Sequence, residues 1–188
     1  RLSDELTVPL NLEMAATEEM LQIALKYRPH ATCIVPEKRE ERTTEGGLDV
    51  VAGYQHLAPF VHKLSEANIR VSLFVEADLV QLKAAAKLGV PVVELHTGAY
   101  CDAQGSAKDH YLGQIIQAAK YSTEVGLECH AGHGLNFDTV GPIAALSQIV
   151  ELNIGHFLIG EAIFEGLEAA IERMRSLMEK ARAEADGA

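Results

Sequence analysis

The sequence predicts an α/β protein whose parallel strands curl into a (β/α) barrel, and three observations lead there. Strand-like and helix-like segments alternate strictly, six times over, along the 188 residues. That is the pattern of a parallel sheet with helices packed outside it. Two of the strands have a polar face: Leu10 and Leu12 oppose Asn11 and Glu13, and Val93 and Leu95 oppose Glu94 and His96. A doubly wound sheet buries both faces under helices, whereas a barrel lets polar side chains point inward near its rim. No composition shift marks a second domain, so residues 1–188 read as one.

Each element has its own signal. Residues 7–14 read as the first strand, and Thr17 followed by Glu18 and Glu19 supplies an N-cap and acidic first turn for a helix to about residue 27. Residues 31–35 form a short apolar strand stopped by Pro36, before a charged loop over 37–47. A helix is expected over 51–67, a β-branched strand over 70–75, a helix over 78–88 and a strand over 90–96. A polar loop over 98–106 should lead into a helix ending near Gly126, then a strand over 127–131 and a short helix over 140–146. Residues 149–159 carry the last strand. Phe164, Leu167, Ile171, Met174, Leu177 and Met178 lie at helical spacing in a terminal helix.

Composition narrows the class. A net charge of -11 argues against nucleic acid or anionic membrane as a main partner, while leaving room for a local phosphate pocket. No apolar run approaches the roughly eighteen residues of a membrane span, and no secretory leader is expected. Cys33, Cys101 and Cys129 are odd in number and lack CxxC spacing, so they read as reduced thiols in a cytoplasm.

The chemistry-bearing residues cluster at strand ends. Glu13 lies near the end of its strand on the presumed inner face, where it suits either a general base or a structural carboxylate paired with a Lys or Arg. Glu94 repeats the arrangement and could stabilise a cationic intermediate; His96 could orient it, or the pair could only tie strands together. His133, between Gly132 and Gly134, sits on a tight loop from which its imidazole can act as general acid or base. The segment from Asn153 to His156, with Gly160 opening the next helix, resembles a phosphate cradle of backbone N–H groups; tight strand–helix packing is the other reading. Residues 38–47 mix charges, threonines and Gly46-Gly47, as a lid or a solvated face would. Four histidines invite a metal site. However, His130 and His133 have opposite parity, no HxH pair exists and no second carboxylate lies at ligand spacing, so no metal is expected.

Six ordered blocks then carry a resemblance: PLNLEMAATEEML (9–21), CIVPEKREERTTEGGLDV (33–50), VSLFVEAD (71–78), VELHTG (93–98), AGHGLN (131–136) and ELNIGHFLIGEAIFEGL (151–167). Together they resemble the pyridoxine 5′-phosphate synthase family across essentially the whole chain. The resemblance implies a TIM barrel and a transferase-class ring closure without cofactor, joining 1-deoxy-D-xylulose 5-phosphate to 3-amino-2-oxopropyl phosphate. It also implies Glu13 as general base, His133 as proton donor and Glu94 as transition-state stabiliser. Thr43 matches a residue binding the deoxyxylulose phosphate, and Gly134, Gly155 and His156 match residues binding the aminooxopropyl phosphate. The family forms homo-octamers.

The family's first two β–α units, with another catalytic histidine and several substrate contacts, have no counterpart here. A full barrel takes about 250 residues, and two units of about 30 residues each would fill the shortfall. The chain opens at Arg1 in mid-pattern, so an upstream segment is expected to be missing. The strands near Asn11 and Asn153 should then be the two edges of an open arc. Apart from the resemblance, a phosphosugar isomerase or epimerase on a similar barrel and a non-catalytic scaffold are the competing classes.

Overall fold

In the computed structural model the described residues are 2–38, 41–43 and 46–187. A short helix α1 (Leu2–Glu5) precedes β1 (Asn11–Met14), α2 (Glu18–Tyr27), β2 (Ala31–Ile34), α3 (Tyr54–Glu66), β3 (Arg70–Val75), α4 (Leu79–Leu88) and β4 (Val92–His96). Then follow α5 (Gly98–Asp102), α6 (Gly105–Glu124), β5 (Glu128–Gly132), α7 (Val140–Ala144), β6 (Ile149–Asn153), α8 (His156–Glu165) and α9 (Leu167–Asp186). The six strands run parallel in the order β1-β2-β3-β4-β5-β6. Each strand pairs with its sequence neighbour, the simplest outcome of repeated right-handed β–α crossovers. The sheet curls as a half-barrel, and among the described residues β1 and β6 do not pair with each other.

Local signals fix several boundaries. The Thr17 hydroxyl accepts from the Met20 N–H at 3.3 Å, starting α2, and the Asp78 carboxylate accepts from the Val80 N–H at 2.8 Å, starting α4. One sheet face is apolar: Met14, Ile34, Val71, Leu73, Val75, Val93, Leu95 and Ala131 are buried. They pack under Leu21 and Ala24 of α2, Leu57 and Leu64 of α3, Leu82 of α4 and Ile115 of α6. The other face is polar and lines the concave side.

Three expectations change. The loop expected over 98–106 contains α5, because Tyr100 is drawn into the core and its hydroxyl donates to the Thr139 carbonyl at 3.1 Å. The last strand stops at Asn153, and the next helix begins at His156, so Gly160 lies inside α8 instead of opening it. The terminal helix is broken by Gly166 at φ +87, which separates α8 from α9. Phe164 is therefore 85% exposed, while Met174 of α9 is buried. No helix among the described residues is long and apolar enough to cross a membrane.

Candidate active site at the strand ends

The C-terminal strand ends open into a cavity of about 1140 Å³ whose walls include Glu13, Glu94, His133, Gly134, Gly155 and His156. Thr43 lies beside it, lining a smaller cavity of about 390 Å³ with Glu76; His96 borders both. Residues far apart in sequence meet here because parallel strands all end on one rim.

Glu94 is the most deeply placed acid of the cavity, only 5% exposed. Its Oε2 accepts from Asn153 Nδ2 at 2.9 Å and from Cys33 Sγ at 3.7 Å. Burial, followed by repulsion from Glu13, raises its pKa to about 7. Gly132 permits this placement, since a Cβ there would collide with Glu94 Oε1 and come within 2.8 Å of the Asn153 carbonyl. Glu13 itself is exposed, not shielded as its inner-face position suggests, because β1 is an edge strand.

A group held near pH 7 by burial couples stability to pH. Its folded pKa lies above the ordinary value of 4.5, so the folded state keeps a proton that the unfolded chain has lost. That contribution is complete below about pH 4.5 and lost as pH rises through about 7. Glu94→Gln cannot ionise and escapes the loss. Urea unfolding at pH 4.5 and pH 8 should show the variant gaining on the parent at the higher pH by on the order of 3 kcal/mol. A difference that does not change with pH would contradict the burial of an ionising Glu94.

His133 lies just beyond β5 with φ +74, a left-handed conformation that costs a non-glycine residue energy. Thr97, buried at the end of β4, holds it there: its hydroxyl sits 2.8 Å from the Gly132 carbonyl and 2.6 Å from that of His133. The His133 ring is 4.8 Å from that of His96 and 6.2 Å from Phe74, measured between centroids. Although His133 reaches the open rim, partial burial and then His96 lower its pKa.

The remaining candidates are distributed around these. Gly155 caps α8 and His156 is its first residue, so the positive end of a ten-residue helix faces the cavity. The Thr43 hydroxyl donates to the Gly47 carbonyl at 3.3 Å. The lid expected over 38–47 includes residues 39, 40, 44 and 45, which lie outside the described residues. His96 contacts not Glu94 but Glu76, its Nδ1 2.9 Å from Glu76 Oε1. Sequence reasoning passed over Glu76, Thr97 and Arg42, the last of which also lines the cavity. Glu76 follows Phe74 by two residues, so strand parity alone could have put it on the cavity side.

Beneath the cavity Arg70, Glu128, His130 and Glu151 form a charged layer. Arg70 Nη2 lies 2.7 Å from Glu128 Oε2, and His130 Nε2 lies 2.8 Å from Glu128 Oε1. The Arg70 and then the His130 hydrogen bond hold Glu128 at a pKa of about 2. His130 Nδ1 is 3.2 Å from Glu151 Oε1, but the alignment is not that of a hydrogen bond. Thus His130 belongs to the floor and not to the rim. Among the described residues no three His, Cys, Asp or Glu side chains are grouped to hold a metal ion.

Comparison with known proteins adds to this geometry. A family model described as pyridoxal phosphate biosynthesis protein PdxJ matches residues 1–180. The chain is 68% identical over 182 residues to the pyridoxine 5′-phosphate synthase of Rhodospirillum rubrum, covering 96% of this chain and 73% of that protein. It is 61% identical to the synthase of the same name from Zymomonas mobilis, covering 97% of this chain and 72% of that protein. Among solved structures, a HpcH/HpaI aldolase/citrate lyase family protein from Burkholderia cenocepacia superposes with a TM-score of 0.57 at 13% identity, over 96% of this chain and 80% of that one. A HpcH/HpaI aldolase from Desulfitobacterium hafniense gives 0.55 at 9% identity, over 91% and 73%. At such identities the last two describe the fold alone.

Proposed function

Because the chain belongs to the PdxJ family of pyridoxal phosphate biosynthesis proteins, we propose that it acts as a pyridoxine 5′-phosphate synthase. It joins 1-deoxy-D-xylulose 5-phosphate to 3-amino-2-oxopropyl phosphate, giving pyridoxine 5′-phosphate, phosphate and water in a transferase-class ring closure. The observation that carries this reading is one cavity in which a carboxyl group held near pH 7 adjoins a second carboxylate, an imidazole and a helix N-terminus. Imine formation, dehydration and aldol closure all need protons taken and returned beside a developing cation.

Glu13 removes protons as general base, and His133 returns them from the rim. Glu94, its pKa raised to about 7 by burial, stabilises the iminium-like charge in its ionised form. Thr43 contacts the deoxyxylulose phosphate, while Gly134, Gly155 and His156 hold the phosphate of the amine substrate. Arg42 and the positive end of α8 supply charge that two phosphorylated substrates demand. The deciding experiment measures inorganic phosphate with each substrate alone and with both. Release only with both supports the synthase; turnover of a single sugar phosphate without the amine would mark an isomerase or epimerase instead.

Gly155 offers a sharper test of the phosphate site. Nothing lies within 4 Å of a Cβ built on it, so Gly155→Val should leave the fold intact while its side chain occupies the anion's place. The expected result is a stability loss no larger than that of an N-cap glycine, about 1 kcal/mol, with KM for the amine substrate raised about tenfold. An unchanged KM would remove Gly155 from the phosphate site.

We further propose that the six β–α units are part of a (β/α)8 barrel in a homo-oligomeric, cytoplasmic enzyme. The outer edges of β1 and β6, which have no neighbouring strand among the described residues, and exposed Ile163 and Phe164 on α8 support closure by two more units or by neighbouring subunits.

A further inference from the structure

We propose that Glu76 is a positioning residue that links Thr43, a proposed substrate contact, to the imidazole of His133, acting through His96. Resting on the reading of the cavity given above, it concerns a residue that none of the proposed roles uses.

One carboxylate oxygen carries the link. Glu76 Oε1 accepts from the Gly47 N–H at 2.8 Å and from His96 Nδ1 at 2.9 Å. Gly47 in turn holds Thr43, since its carbonyl accepts from the Thr43 N–H at 2.8 Å and from the Thr43 hydroxyl at 3.3 Å. Gly47 itself is pressed against β3, where a Cβ would come within 2.7 Å of the Val75 carbonyl carbon. On the other side, His96 packs edge-on against Phe74 at 5.1 Å and against His133 at 4.8 Å. The imidazole pair is wedged in place by Gly98: a Cβ there would lie 2.8 Å from His96 Nε2 and 3.3 Å from His133 Cδ2. Displacing Thr43 and Gly47 therefore moves the shared acceptor, then His96, then the ring it supports.

The chemistry favours coupling over simple bracing. Glu76 and His96 side chains are 14% and 9% exposed, so the contact is largely shielded from water and worth more than a surface ion pair. Accepting at Nδ1, the carboxylate keeps the His96 proton on that nitrogen and turns Nε2 toward Gly46 and Gly98 at the boundary of the two cavities. The charged and titratable groups around His133 are His96 of β4, Asp102 of α5, Glu13 of β1 and His156 of α8, with His96 the strongest of these. A change in the position or charge of His96 thus reaches His133 before any other neighbour does.

The test compares Glu76→Ala, Glu76→Asp and His96→Gln in the enzyme. Glu76→Ala should raise KM for the deoxyxylulose substrate about tenfold, leave KM for the amine substrate within about twofold, and move the His133 midpoint read by histidine NMR. Glu76→Asp, which keeps a carboxylate, should recover most of both effects. His96→Gln removes a neighbour that lowers the His133 pKa and should shift its midpoint upward. The inference is overturned if folded Glu76→Ala keeps both the parent's KM and its His133 midpoint, or if both KM values rise together. If Glu76→Ala does not fold, Glu76→Asp and His96→Gln decide by the same two readouts, an unmoved midpoint in His96→Gln counting against it. Because the NMR midpoint needs no turnover, a parent without synthase activity would sink the functional reading while leaving this link to be judged on its own.

Discussion

Replacing His133 with glycine should lower kcat roughly 10²–10⁴-fold while leaving the protein as stable as the parent or slightly more so. The two halves of that result have separate causes. The backbone at His133 has φ +74, where a side chain other than glycine's costs about 1 kcal/mol. The ring packs against His96 and Phe74 on an exposed rim, a small loss that relief of the strain offsets. A non-glycine residue held at such a φ is the kind of outlier that motivates a functional hypothesis. If His133 supplies protons to the closing ring, removing the ring removes that step and leaves both phosphate contacts, so KM should change far less than kcat. Urea unfolding and steady-state kinetics on the same preparation check both halves. A variant with parent-like kcat would strike His133 from the mechanism, and a large loss of stability would show that the ring is mainly structural.

How much of this was legible in the sequence depends on the range of the cause. The β3 strand and the caps at Thr17 and Asp78 are local events, and their residues announce them. The polar concave face followed from parity at Glu94 and His96, because alternation in a strand is geometric. The helix Gly98–Asp102 was not legible, since five residues hold little more than one turn and what stabilises it is the burial of Tyr100 against Thr139. The break at Gly166 was hidden by apolar residues at helical spacing on both sides, a pattern that does not register one residue's φ. Partner identity was the least visible feature. Cys33 and Glu94 are 61 positions apart, and only the β2-β3-β4 strand order brings them together. His96 could be assigned a glutamate partner from sequence, but choosing Glu76 over Glu94 required the neighbouring strand.

The same reasoning makes Gly132→Ala the most damaging single-methyl change expected in the cavity. A Cβ at Gly132 would overlap Glu94 Oε1 and approach the Asn153 carbonyl to 2.8 Å and the Asn153 Cβ to 3.1 Å. Two of these belong to β6, which is paired to Gly132 in register and cannot withdraw without breaking the ladder. The flexible partner is the Glu94 side chain, so that is what must move. Its other oxygen is held by Asn153 at 2.9 Å and by Cys33 at 3.7 Å, and rotation sacrifices both contacts for a buried, partly ionised group. Overpacking of this kind costs about 1–3 kcal/mol. If Glu94 stabilises a cation in the reaction, displacing it by about 1 Å should cost roughly 10²-fold in kcat/KM. Gly113→Ala, within α6 and outside both cavities, is the control: the added methyl meets nothing within 4 Å and stability should not fall. Thermal unfolding of the two variants beside their kcat/KM values separates the claims. Should Gly132→Ala unfold less readily than predicted and keep the parent's kcat/KM, the position of Glu94 would not be what the reaction depends on.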